Sequence, residues 1–403
     1  MDPRTNPFSP GAGVRPAQLA GREGLIETCE IAMDRVLGGL HATDIIMTGL
    51  RGVGKTVLLN HLATLAKAHG IEVVKFEVPD ARGGHLIPAM VIALGAVLKR
   101  LDRLKRAGAG LRLAAAALQN FAAVFRVKYE GFSLGAEPAR GAADSGDLET
   151  DLPELLMPVA RAAGHRQSAI VLMIDEVQYL TREELSALAR ACHEAAQQGV
   201  PFLFIGAGLP QIAALTGEAK SYAERLFLYP EIGALAPDAA CQALRAPARA
   251  QGADFTDEAL ERILAETECY PYFLQTWGKF AWDTAERSPI TADDIAAAGP
   301  AIIAHLDQNF FRVRFDRCTG LEQQYLRAMS ELGPGPHRTG DIAAALATTS
   351  QRLAPVRRSL ISSGMIHAPR YGETGFTVPL FDGFMKRMLP ALEPYKPKRR
   401  SGK

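Results

Sequence analysis

The sequence predicts an α/β protein: a doubly wound parallel sheet built around a phosphate-binding loop, then an α-helical segment and a C-terminal module of three helices and a β-hairpin. Three observations carry this. Residues 49–56 read GLRGVGKT, a full G-x-x-x-x-G-K-[ST] pattern. A second apolar run ends in the acidic pair Asp175-Glu176. Between 44 and 210, apolar runs of strand length alternate with helical patterns.

The loop comes first. DIIMT (44–48) is an apolar run of strand length, and VLLNHLATLAKAH (57–69) has apolar residues at helical spacing before Gly70, a natural C-cap. Strand, glycine loop and helix is the context the motif requires, which disfavours a chance glycine turn. Gly49, Gly52 and Gly54 let the backbone N–H groups of the loop, Leu50, Arg51 and Val53 included, turn inward on phosphates. Lys55 would reach the β- and γ-phosphates, and Thr56 would hold Mg²⁺.

The acidic strand follows. SAIVLMIDEVQYL (168–180) places Asp175 and Glu176 at the C-terminal end of five apolar residues, where ligands sit in open α/β sheets. Asp175 would hold the Mg²⁺ shell, and Glu176 would polarise an attacking water. The competing reading is a buried strand ending in a solvated helix cap, since a helix starts at 181–184. No N-K-x-D motif occurs, so ATP is preferred over GTP. VPFLFIGAGLP (200–210) is the next strand, after a helix over 183–198, and IEVVKFEVPD (71–80) is another beside the loop.

Composition narrows the class. A chain of 403 residues suits two or three domains, and 48% hydrophobic residues are ample for their cores. Five scattered cysteines (29, 192, 241, 269, 318) without C-x-x-C spacing argue against a disulfide framework or a zinc site and fit the cytoplasm. The nine histidines lack metal-ligand spacing. No signal peptide is visible in the first 25 residues, and LIPAMVIALGAVL (86–98) is too short to span a bilayer, so it reads as a buried helix and no membrane partner is expected. Residues 349–403 carry eleven Lys/Arg against three Asp/Glu, a local +8, which leaves −7 for residues 1–348. That asymmetry suggests an anionic partner at the C-terminal end, although the tail KPKRRSGK (396–403) also suits a solubilising terminus.

Taken in order, LAGRE (19–23), the Walker A loop, the DE-type Walker B strand, a hydrophobic strand, an arginine near 225 and a helical segment resemble the AAA+ ATPases of the replication-initiator (origin-recognition) group and the related STAND signalling ATPases. The resemblance covers roughly residues 15–310. It implies a P-loop NTPase with an N-terminal extension (1–18), an ATPase core (19–232), a helical lid (233–305) and a linker (306–318). LAGRE would lie near the adenine. Arg225 in SYAERLF (221–227) would be an arginine finger acting on a neighbouring subunit in a homo-oligomer, or else a helical surface residue.

Two departures stand out. The strand that usually ends in a polar sensor ends here in Gly206-Ala207-Gly208, and Gln178 is either a substitute that positions water or a helix-surface residue. The lid lacks the expected sensor arginine; ECYPYFLQTWGKFAW (268–282) is similar instead to the G-x-P segment of STAND proteins, with Cys269 in the glycine's place and Pro271 packing near the nucleotide. Both imply slow hydrolysis used as a switch.

Residues 108–150 read as an insertion with an Ala-rich helix (111–122), an alternating segment (125–132) and a Pro/Gly/acid-rich loop. GFSLG (131–135) matches the G-x-S-x-G elbow, but that loop follows where a helix is needed, so it is no hydrolase signature.

In the C-terminal module (319–392), Thr319 and Glu322 form a capping box opening a helix to 332, 333–340 breaks it, and further helices cover 341–347 and 350–364. MIHAPR (365–370), a turn (371–375) and FTVPLF (376–381) read as a hairpin. This is the pattern of a winged helix-turn-helix, which the initiator-type ATPases also carry here, followed by a basic tail (393–403). On duplex DNA the third helix would present Gln351, Arg352, Arg357 and Arg358, and the wing Arg370 and Tyr371. The alternative is a module that docks a protein partner in a STAND-like switch, and Pro355 within the third helix could disturb its groove-reading face.

Overall fold

The computed structural model describes residues 1–11, 13–79, 86–103, 108–127 and 141–393. They form two compact units: Arg22–Gly49 with Gly54–Ile232, and Met1–Gly21 with Leu50–Val53 and Gly233–Lys403. The GFSLG segment and the basic tail from 394 onward lie outside the described residues.

The first unit is an α/β sandwich. Helix α1 (Glu23–Leu37) leads into β1 (Asp44–Thr48), and α2 (Lys55–Ala68) into β2 (Glu72–Glu77). Helix α3 (Leu86–Arg103) buries Leu86, Met90, Leu94, Val97, Leu98 and Leu101, the 3.6-residue spacing of one apolar face. Helix α4 (Ala109–Val124) and α5 (Leu148–Gly164) precede β3 (Ile170–Asp175). Helix α6 (Arg182–Gln198) opens on a Thr181–Glu184 capping box, and Glu184 also accepts from Leu86 N–H at 2.9 Å. Strand β4 (Phe202–Gly208), α7 (Ile212–Ala219), α8 (Ala223–Leu226) and β5 (Phe227–Leu228) complete the unit.

The sheet order is β2-β3-β4-β1-β5, and every pairing is parallel. Strands β1, β3 and β4 are buried along their whole length, which is why they read as continuous apolar runs rather than alternating ones.

One boundary differs from expectation. The sequence reads the insertion, its acidic loop included, as lasting to 150, yet α5 begins at Leu148 and continues through Pro153 and Pro158. Asp151 explains the early start: fully buried, its carboxylate accepts from Ser145 N–H at 3.0 Å, Ser145 Oγ at 2.7 Å and Gly146 N–H at 2.8 Å. The charge that looks solvated in sequence ties the end of the loop to the helix.

The second unit is helical first, with α9 (Pro237–Ala250), α10 (Asp257–Thr267), α11 (Pro271–Thr284) and α12 (Ala292–Leu306). A π turn over 307–311 passes into α13 (Arg312–Phe315), and α14 (Gly320–Glu331) opens on the expected Thr319–Glu322 capping box. Then come β6 (His337–Arg338), α15 (Thr339–Ala345), α16 (Ser350–Ser362), β7 (Ile366–His367), β8 (Glu373–Phe376) and α17 (Phe381–Met388).

The second strand of the expected hairpin is displaced. Strand β8 begins inside the segment read as the turn, and Phe381 opens a helix instead of ending a strand. Phe381 and Phe384 pack with Phe311 at centroid distances of 5.6 and 5.3 Å, an aromatic cluster that outweighs the β-propensity of FTVPLF.

Residues 1–21 are built into this unit. Phe8 is 3% exposed and sits against Gly278 of α11, where a Cβ would approach its ring to 2.7 Å. Trp282 Nε1 donates to Asp2 O at 3.0 Å, and Asn6 Nδ2 donates to Asp283 at 2.8 Å.

Candidate nucleotide site

Parallel strands end their C-terminal edges together, so the groups closing β1, β2, β3 and β4 converge. Gly54 is the N-cap of α2 with φ +93°, a backbone state that side chains resist; no side chain caps this helix. A Cβ at Gly54 would meet nothing within 4 Å, leaving open ground before the first turn. Lys55, 6% exposed, turns its Nζ back on the loop and donates to the Gly49 carbonyl at 2.8 Å. Gly49 N–H in turn donates to Gly208 O at 3.1 Å, fastening the loop to the end of β4.

Thr56 donates to Asp175, the last residue of β3, which is 2% exposed. Burial pushes the Asp175 carboxyl above its ordinary range, and the Thr56 hydroxyl and the Lys55 ammonium pull it back. A buried ammonium, a hydroxyl and a carboxylate facing an uncapped helix start suit a phosphate chain with a hard cation. The residues present fit Mg²⁺–nucleotide: Thr56 and Asp175 would hold the metal, and Lys55 with the N–H groups at the start of α2 the phosphates.

Glu176 adopts φ +56°, uncommon for a side-chain-bearing residue. Its N–H donates to Asp175 Oδ1 at 2.9 Å, and its carboxylate accepts from Gln178 Nε2. Gln178 is therefore no surface residue of a helix; it is 8% exposed and points into the site.

A third carboxylate was not picked out from sequence. Glu77 closes β2 in register with Asp175, and burial together with Asp175 and Glu176 raises its pKa. Counting strand ends, instead of seeking motifs, would have found it.

The loop tip Leu50–Val53 belongs to the second unit. Within it the Tyr270 hydroxyl donates to Arg51 O, Tyr272 N–H donates to Gly52 O at 3.2 Å, and Arg51 donates to Ser363 O at 3.3 Å. Gly52 has φ +85°, and a Cβ there would come within 2.9 Å of the Tyr270 ring. Pro271 is the first residue of α11, and Cys269 has φ +57°, the left-handed state in which glycine is at ease. Arg314 in this unit also escaped the sequence reading: its guanidinium lies 4.1 Å from the Phe310 ring centroid. Burial, helped by the Arg51 charge, lowers its pKa to about 10. An arginine set in FFRVRF was the available signal.

The remaining candidates are dispersed. Arg225 is exposed on the four-residue α8. Gln351, Arg352 and Arg358 are exposed on α16, and Arg370 and Tyr371 on the β7–β8 connection. Arg357 is already engaged, donating from Nε to Thr374 Oγ1 at 2.9 Å and from its guanidinium to Glu373 O at 2.8 Å, which pins α16 to β8. No described helix is long and apolar enough to cross a membrane.

Residues 18–205 match the AAA ATPase domain family, and residues 308–385 match a domain of unknown function (DUF8462). None of the curated proteins matches the chain. Among solved structures, the Walker-type ATPase PABY2304 of Pyrococcus abyssi is 16% identical, with 92% of this chain and 97% of that one covered at a TM-score of 0.61. Cdc6p from Pyrobaculum aerophilum is 15% identical (96% and 99% covered, TM-score 0.47). The Aeropyrum pernix Orc1 protein in complex with DNA is also 15% identical (92% and 94% covered, TM-score 0.44). The first likeness is one of fold, and the other two are too distant to bear on it.

Proposed function

We propose that the protein, whose residues 18–205 match the AAA ATPase domain family, is an AAA+-type, slow ATP-hydrolysing switch whose C-terminal module, a winged helix, contacts duplex DNA. The observation that carries the ATPase reading is the meeting of Lys55, Thr56, Asp175 and Glu176 at one edge of the sheet.

In this mechanism Lys55 leaves the Gly49 carbonyl and moves its ammonium to the β- and γ-phosphates of ATP. Thr56 and Asp175 would hold Mg²⁺, which would supply charge neutralisation on the phosphate oxygens. Glu176 accepts the proton of the attacking water at its carboxylate, and water oxygen takes the γ-phosphoryl group as ADP leaves. Arg225 would act on a neighbouring copy. Slow turnover suits a site whose β4 ends in glycines and whose Lys55 must first break a backbone contact.

DNA contact rests on the exposed Gln351, Arg352, Arg358 and Arg370 and the basic C-terminal end, with Arg357 left to the structural role just described. Steady-state ATP hydrolysis with and without duplex DNA, with Glu176→Gln as blank, tests the coupling. Stimulation by DNA supports it; turnover indifferent to DNA overturns it.

A second reading is favoured by Cys269, whose left-handed backbone reproduces the glycine of the G-x-P segment. There the same switch answers to a protein partner, as in STAND ATPases, and salt-sensitive DNA affinity would be absent.

A further inference from the structure

We propose that Gln178 is the positioning residue for Glu176, taking over from the polar side chain that β4 lacks. The inference rests on reading Glu176 as the base that accepts water's proton, and it assigns Gln178 a role acting through that base.

The turn after β3 makes this possible. Glu176 in the left-handed region and the 3₁₀ turn Val177–Tyr179 fold the chain back on itself. Both ends of the Gln178 amide are then committed: Nε2 donates to the Glu176 carboxylate, and Oε1 accepts from Leu209 N–H, just beyond β4, at 3.0 Å. A carboxylate can only accept and a backbone N–H can only donate, so the two partners fix which end of the amide faces which. The side chain is a strut between the base and the end of the neighbouring strand.

Gly208 is the counterpart of that strut. A Cβ at Gly208 would come within 2.8 Å of both Gln178 Oε1 and Val177 Cγ2, and one at Gly206 within 3.3 Å of Val177 Cγ1. The missing side chains of β4 are thus the space that the turn 177–178 occupies. A polar group faces the same region, supplied from β3 instead of β4. Because the amide donates to Glu176, it holds one carboxylate oxygen in place, leaving the other for water.

The first readout needs no nucleotide. The Gln178 side-chain amide should give split, slowly exchanging ¹⁵N–¹H signals in the protein alone, and Glu176→Ala should collapse them toward free-amide values. Unchanged signals would overturn the contact. In turnover, Gln178→Ala should lower kcat about 10–100-fold with KM for ATP within about twofold, the usual cost of losing such a supporting partner. Gly208→Ala should displace the strut and match that loss, and the double variant should be no worse than either single change. Additive losses, or an unchanged kcat in Gln178→Ala, would overturn the proposal. Glu176→Gln run beside them separates the two readings. If it leaves kcat intact, the base assignment has failed and the positioning role with it. If it abolishes turnover while Gln178→Ala does not, the positioning role alone is wrong.

Discussion

Two buried aspartates stand at opposite edges of the same sheet, and they have different fates. Asp44 opens β1 at the amino-terminal edge; Asp175 closes β3 at the carboxyl-terminal edge. Burial raises both carboxyls. Asp44 reaches about 7, with a backbone hydrogen bond from Phe204 N–H at 2.6 Å and the Cys192 thiol beside it, itself pushed well up by burial. Asp175 has a hydroxyl and an ammonium next to it, at the start of a helix. Burial by itself therefore makes a protonated structural acid. A nearby cation and a hydroxyl give the same residue type the surroundings that the proposed phosphate and metal site needs.

The contrast can be broken at either edge. The largest effect on ligand binding is expected from Lys55→Ala, which removes the cation: ATP affinity should fall at least ~100-fold, about 3 kcal/mol, in a calorimetric or fluorescent-nucleotide titration. Retained affinity would remove Lys55 from the site. Next, Asp175→Asn should cut turnover about 100-fold and abolish the Mg²⁺ dependence of what remains, while the fold persists; a full Mg²⁺ response would place the metal elsewhere.

At the other edge the readout is stability. With its folded pKa raised from 3.8 to about 7, Asp44 keeps a proton that the unfolded chain releases. Its favourable contribution is present at low pH and lost as pH rises through about 7, after which stability levels off. Asp44→Asn should thus be near neutral at pH 4 and stabilising at pH 8, by at most about 4 kcal/mol on a pKa difference of this size. Melting curves that stay parallel across that range would show that Asp44 ionises freely. The smallest effect belongs to Cys192→Ser. A hydroxyl, the stronger donor, should ease ionisation of Asp44 and trim its alkaline loss of stability by about 1 kcal/mol, visible in the same curves.

The sheet was legible because its three central strands are buried on both faces and the loop motif anchors their order. Strand β5, two residues long, carries no such pattern. Helix α5 was hidden by Pro153, Pro158 and the acids of LETD, since the buried Asp151 acts through contacts that periodicity does not record. In the C-terminal module the capping box and the third helix could be read, but FTVPLF could not: the aromatic cluster that converts its last residue into a helix start is assembled from residues about 70 apart in sequence. At the site, motifs gave Lys55, Thr56, Asp175 and Glu176, which the fold brings together. They were silent on Glu77 and on the direction of Gln178, both set by strand register and one left-handed residue.

The packing of Phe8 and Asn6 on α11 bears on the order of events during synthesis. Asn6 meets Asp283 across 277 residues, with the whole α/β unit between them. At the ~5–20 residues per second of translation, the amino-terminal segment waits about 14–55 s for its partner helix to be made. The α/β unit needs nothing beyond Ile232 and can condense first, so residues 1–21, made before it, settle after it.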